Sequence, residues 1–346
     1  MKKFFLLNIV AVFALILTAC GDTTKPTETK NSDAITVYTT VYPLTYFTER
    51  IGGENVDVKS IYPAGSNEHT FDPTQKDMMA LADADLFFYI GLGLEGFVDN
   101  AKKTLANEEV TLIATADAVT DEDLAVSEVH EDDHATEEEH TEDTHSHDEE
   151  STDEDEHPKD EVGHDDHDHG EVDPHLWISP QLSVHLATSI KDSLINKDPN
   201  NKETYTKNYE ALVNDLKQLD TDFKGMAEAS SNKTFFVSHA AFGYLAQTYG
   251  LEQVAVAGLN SQDEPSQKEL TEIVKLAKSM DINTILFEQN VSSNLTKVIQ
   301  NEIGAEALTM HNLGVLTPQD IDNNENYFTL MEKNLDTLSQ ALNSSK

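Results

Sequence analysis

Residues 121–171 hold 25 acidic side chains against one lysine and very few apolar residues. Such a stretch repels itself and cannot bury enough surface to offset the entropy of ordering it, so it reads as a disordered insertion. It also carries nine of the 14 histidines: His130, His134, His140, His145, His147, His157, His164, His167 and His169. Any fold must therefore be assembled from the chain on either side of it. With 346 residues and a net charge of -41 the chain is long enough for about two domains of roughly 150 residues. It lacks the basic face that a nucleic-acid binder needs. Its single cysteine rules out a disulfide framework.

That cysteine ends a distinctive leader. Lys2 and Lys3 precede an apolar run from Phe4 to Leu17, followed by Leu17-Thr18-Ala19-Cys20. The three-part layout is that of a secretory signal peptide, and the run is shorter than the roughly 20 residues a membrane-spanning helix requires. Leu17 to Cys20 resembles the lipobox of bacterial lipoproteins, which makes Cys20 the acylated first residue of the mature chain. Acyl chains buried at about 0.8 kcal/mol per CH2 would then anchor it to the membrane, outside the cytoplasm. Residues 21–33 are polar and aperiodic and read as a flexible tether of roughly 20 Å reach.

The remainder alternates strand and helix. Ile35–Thr39, Val56–Tyr62, Leu86–Ile90 and Val110–Ala114 are β-branched or aromatic runs separated by helical patterns. Thr234–Ser238, Val254–Ala257 and Thr284–Phe287 repeat the style, with helices near Gln267–Met280 and Ser293–Ile303. The expected fold is α/β: two lobes with mostly parallel sheets flanked by helices, residues 34–200 and 231–346. Between them Tyr205, Tyr209, Leu212, Leu216, Leu219, Phe223 and Met226 step by four and three, which predicts one long rigid linking helix over 201–230. Its stiffness limits the motion of the lobes to a small closure.

Five histidines lie outside the insertion. His69 sits in a turn-rich loop, Pro63 to Pro73, directly after the second strand. His175 lies in the extended Asp173-Pro174-His175-Leu176-Trp177-Ile178-Ser179-Pro180. His239 and Glu288 each follow a strand. Ligands of open α/β sheets bind beyond the carboxyl ends of strands, where His69, His239 and Glu288 would lie. Three imidazoles and a carboxylate make a plausible tetrahedral zinc set. Each histidine taken alone is more often a hydrogen-bonded core or loop residue than a ligand. His185 falls in the helical stretch Gln181–Ile195 and reads as surface or packing. His311 ends a short apolar segment and reads as packing or support for the site.

In the insertion, His130-Glu131-Asp132-Asp133-His134 matches the H-E-x-x-H metalloprotease motif. That motif works only on a structured helix with an apolar face, which this tract lacks. Its histidine clusters suit a weak zinc-collecting loop near the cleft; the alternative is a solvated acidic spacer.

The lipobox, Pro63 to Pro73, Asp173 to Pro180, Ser238-His239-Ala240-Ala241-Phe242-Gly243-Tyr244 and Phe287-Glu288-Gln289-Asn290, in this order around a long helix, resemble the metal-binding lipoproteins of bacterial ABC importers. The zinc-uptake, ZnuA-like subgroup, which bears a His-rich acidic insertion, is the nearest. The resemblance implies a non-enzymatic, monomeric protein that captures Zn2+ in the interlobe cleft and delivers it to a permease and its ATPase. It implies His69, His175 and His239 as ligands and Glu288 or solvent in the fourth position. In manganese-binding relatives the set looks like two histidines and two carboxylates, so the third histidine argues for zinc, which nitrogen suits better. Two other readings are a manganese or iron uptake protein and a secreted zinc hydrolase, in which three histidines and a glutamate would activate water. Against the hydrolase, the chain has no G-x-S-x-G and no structured H-E-x-x-H.

Overall fold

A strand whose chain returns through a helix re-enters the sheet from the same end, so consecutive strands of a βα alternation run parallel. A computed structural model, which describes residues 34–125, 172–289 and 294–344, shows this twice. The leader with Cys20, the tether and the nine insertion histidines lie outside the described residues. The first lobe runs β1 (Ile35–Thr39), α1 (Tyr42–Gly52), β2 (Val56–Ser60), α2 (Gln75–Ala82), β3 (Leu86–Tyr89), α3 (Val98–Thr104), β4 (Thr111–Ala114) and α4 (Asp121–Leu124). Helices α5 (Pro180–Lys197) and α6 (Lys202–Ala229) follow. The second lobe runs β5 (Thr234–His239), α7 (Gly243–Thr248), β6 (Glu252–Ala257), α8 (Gln267–Ser279), β7 (Thr284–Glu288), α9 (Asn294–Ile303), β8 (Glu306–Met310), α10 (Pro318–Asp322) and α11 (Tyr327–Asn343).

The sheets have the same strand order, β2-β1-β3-β4 and β6-β5-β7-β8, and every pairing is parallel. Strand β8 was legible only as the apolar segment ahead of His311. It lies at the sheet edge and buries Met310 while exposing Glu306 and Ala307, so its alternation is weak. Helix α4 occupies the first residues of the acidic tract. Thr120 accepts from Asp123 N there and three acids in the first turn favour the helix dipole, while Leu124 packs against the core. Among the described residues no helix is long and apolar enough to cross a membrane.

Helix α6 spans 28 residues and buries Tyr205, Leu212, Leu216, Leu219, Phe223 and Met226 of the stripe read from the sequence, with its seventh member, Tyr209, partly buried against the core. It packs against α1, α5 and α11, so it supports both lobes. An aromatic contact reinforces the joint. Tyr46 and Phe47 of α1 meet Tyr327 of α11 at ring-centroid distances of 6.3 and 4.9 Å. The Tyr327 hydroxyl donates to the Trp177 carbonyl at 3.0 Å. One apolar core consequently runs through both lobes, from Val37 and Phe88 to Val237 and Met331.

In each sheet the chain leaves the first strand toward one side and the third toward the other, which opens a crevice beyond their carboxyl ends. In the first lobe that crevice is filled by Glu95. This buried carboxylate accepts from Ile90 N at 2.8 Å, Gly91 N at 3.0 Å and the Thr40 hydroxyl at 2.8 Å. Burial raises its pKa while these donors oppose the shift. Glu95→Ala strands the buried Ile90 N–H and the partly buried Gly91 N–H at about 1–3 kcal/mol each. It is expected to lower unfolding free energy by about 2–5 kcal/mol in urea denaturation; a loss below about 1 kcal/mol would show that water replaces the carboxylate without cost.

Candidate metal centre

The corresponding crevice of the second lobe holds chemistry instead of a plug. His239 is the last residue of β5 and Glu288 the last of β7, and these strands are neighbours in the sheet, so both side chains emerge at the same point. Both Glu288 oxygens lie 3.1 Å from His239 Nδ1. The Ser238 hydroxyl donates to Oε1 at 3.2 Å, and the Asn312 amide donates to Oε2 at 2.9 Å. On the other side of the His239 ring, Nε2 donates to the Leu259 carbonyl at 2.9 Å.

The other two histidines come from outside strands. Asp173 accepts from both the backbone N and Nδ1 of His175, at 2.8 Å each, which turns Nε2 of that buried ring toward the cleft. A carboxylate on the far nitrogen is the usual way a metal-ligating imidazole is oriented. Trp177 packs beside the ring at a centroid distance of 5.3 Å. His69 is carried by the loop after β2. Asn67 Oδ1 accepts from His69 N at 2.9 Å, and Asn67 Nδ2 donates across the cleft to Ser261 at 3.0 Å.

These segments converge. His69, His175 and His239 each offer a ligand atom within 4.8 Å of the others, and the Nε2 atoms of His69 and His175 are 3.3 Å apart. Two ligands on one tetrahedral ion with bonds of about 2.0–2.1 Å stand about 3.3 Å apart. Glu288 stands beside this group, in contact with His239. The remaining histidines lie elsewhere. His185 is half-exposed on α5, 3.8 Å from Asp123. Both ring nitrogens of His311 are engaged, Nδ1 accepting from Leu313 N at 2.8 Å and Nε2 donating to Asp320 at 3.1 Å.

Three participants escaped the sequence reading. Asp173 could have been found, because an Asp two residues before a histidine commonly accepts from its backbone N–H in an Asx turn. Glu68 adjoins His69 but is a buried carboxylate whose pKa burial raises, with Glu288 adding to the rise. Asn312 had no signal as part of the site, since the two carboxylates it donates to are over 20 residues distant.

The family model for the periplasmic zinc-uptake complex component A, ZnuA, matches residues 37–341. The chain belongs to the ZnuA family. It is 32% identical over 342 residues to the high-affinity zinc uptake system protein ZnuA of Bacillus subtilis, covering 99% of this chain and 98% of that one. It is 34% identical over 342 residues to the zinc-binding lipoprotein AdcA of Streptococcus pneumoniae, covering 99% of this chain but 61% of that longer protein. The crystal structure of the Zn(II)-bound ZnuA-like domain of the S. pneumoniae AdcA superposes with a TM-score of 0.67 at 30% identity, covering 90% of this chain and all of that domain.

The electrostatics set the pH response. Burial and the neighbouring His175 and His239 push the pKa of His69 down to about 3, so its ring is neutral and ready to ligate. Burial lowers the pKa of His239 too, but Glu288 and the Leu259 carbonyl outweigh it and push the value up to about 9. Below that value an ion that binds at His239 would have to displace its proton. Metal affinity is therefore expected to rise about tenfold per pH unit from neutrality to about 9 and then flatten, which chelator competition across this range measures. A profile that is flat between neutrality and about 9 would contradict the protonated His239.

Proposed function

We propose that this chain is the extracytoplasmic zinc-binding component of an ABC importer, anchored through an acylated Cys20. It captures Zn2+ between its lobes and passes it to the permease and ATPase. The observation that carries the reading is the convergence of three imidazoles from three separate segments, their ligand atoms within 4.8 Å of one another and those of His69 and His175 separated by 3.3 Å, the edge of a zinc tetrahedron. Nitrogen donors favour zinc over manganese, which prefers oxygen. The relatives named for zinc uptake and zinc binding support the same cargo.

His69, His175 and His239 hold the ion, and Glu288 completes the shell. The 3.1 Å between Glu288 and His239 Nδ1 suits two ligands sharing one ion, and the Leu259 carbonyl takes the other ring proton. Zinc thus replaces the proton between this pair. No catalytic role is assigned: the site's buried polar groups are committed to holding the ligands, and binding alone is its chemistry. The protein acts as a monomer.

Capture and release run through the loop that carries His69. Its ring is only half-buried, whereas His175 and His239 are fully buried, and the shared core resists a wide hinge. The His-rich insertion serves as an accessory, weak collector of zinc.

The test is metal stoichiometry and Zn2+ against Mn2+ competition on the mature protein, the same protein lacking residues 126–171, and the His239→Ala variant of each. One tight zinc is expected in both parents, and loss of a ligand should weaken it by more than the roughly 10–100-fold typical of a supporting residue. A preference for Mn2+, or no tight site once the insertion is gone, would overturn the proposal.

A further inference from the structure

The register of β7 against β8 sets Glu288 opposite Met310, so the residues just beyond β8 cross the carboxyl end of β7. They form an unusually constrained turn. Leu313, buried and non-glycine, has φ of 60°, held there by the bond from its N–H to His311 Nδ1. The His311 backbone exchanges two 2.7 Å bonds with the Asn334 side chain. At Gly314 a Cβ would stand 2.5 Å from Glu68 Oε1, so that carboxylate is pressed directly against the turn.

At the centre is Asn312, 1% exposed. Its amide gives one hydrogen to Glu68 Oε1 and the other to Glu288 Oε2, both at 2.9 Å. Its Oδ1 accepts from Gly314 N at 3.0 Å and Gln289 Nε2 at 3.3 Å. Its carbonyl accepts the Trp177 indole N–H at 2.7 Å. One buried side chain and its carbonyl thereby reach the neighbour of His69, the partner of His239 and the tryptophan two residues past His175.

We infer that Asn312 is a positioning residue for the cargo ion, clamping the three ligand-bearing segments in register. The residue type follows from the charges around it. Two carboxylates facing one point need a donor with two hydrogens, and a neutral amide supplies them without placing a positive charge beside the incoming cation. Aspartate would add repulsion, and a lysine would compete with the metal. This inference rests on the cluster being the zinc site.

The experiment compares the mature full-length protein with Asn312→Ala, Glu68→Ala and the double variant. It follows zinc release into an excess of a colorimetric chelator and the ligand-field spectrum of the Co2+-loaded forms. Asn312→Ala is expected to weaken zinc binding by roughly 10–100-fold and to shift the Co2+ bands, as loss of a supporting partner does. The double variant should release zinc no more than about twofold faster than the worse single one, because both remove the same clamp. Release within about twofold of the parent, or effects that multiply, would overturn the inference. Should Asn312→Ala not fold, Glu68→Met fills the space and removes the acceptor; faster release supports the clamp and unchanged release overturns it. His239→Ala runs alongside: if it leaves zinc binding intact, the zinc-site reading falls, an outcome distinct from failure of Asn312 alone.

Discussion

Three imidazoles that present nitrogens to one point hold that arrangement only if something fixes each from behind. In this protein the fixing is done by acceptors on the far side of the buried rings, Asp173 for His175 and the Leu259 carbonyl for His239. Desolvation makes these bonds consequential, because a buried imidazole has no water to turn toward. The elements that supply the acceptors come from both lobes, so the packing of the lobes on each other and the geometry of the site are one problem. Tyr244 of the second lobe illustrates the coupling, its hydroxyl donating to the Asp173 carbonyl at 2.9 Å.

The two sheets share one topology yet use it differently. The crevice of the second lobe brings the buried His239 and Glu288 together at the ends of adjacent strands, a rigid platform. The matching crevice of the first lobe is closed by Glu95, and that lobe contributes to the site through the loop bearing His69. A rigid half facing a loop-borne half, on a shared core, is suited to an ion that must be held tightly and later surrendered. Local motion of one loop costs far less than separating lobes whose aromatic and aliphatic residues interdigitate.

Much of this was legible from the chain. The linking helix announced itself because burial of one face over about six turns leaves an unbroken three-and-four spacing in Tyr205 to Met226. Strands β3, β5 and β7 were legible because central parallel strands are buried on both faces and read as apolar runs, and β1 because its buried Ile35, Val37 and Thr39 alternate with half-buried residues. Strand β8 was not, since an edge strand half open to solvent keeps Glu306 and Thr309. The three histidines stood out because each adjoins a turn or strand end, and their likeness to a known family aligned them as a set.

The chain by itself therefore determined the alternation of elements and the two lobes, which depend on local periodicity and residue type, and its likeness to a family singled out three candidate nitrogen donors, His69, His175 and His239, that the structure brings together. Only the tertiary structure decided which groups stand behind those donors. Glu68, Asn312 and Glu288 meet across separations of 24 and 244 residues, and no local pattern encodes a contact made by loops from different lobes. Such a buried polar network is specified by the desolvation cost of leaving any member unpaired, a cost that exists only once the lobes have packed.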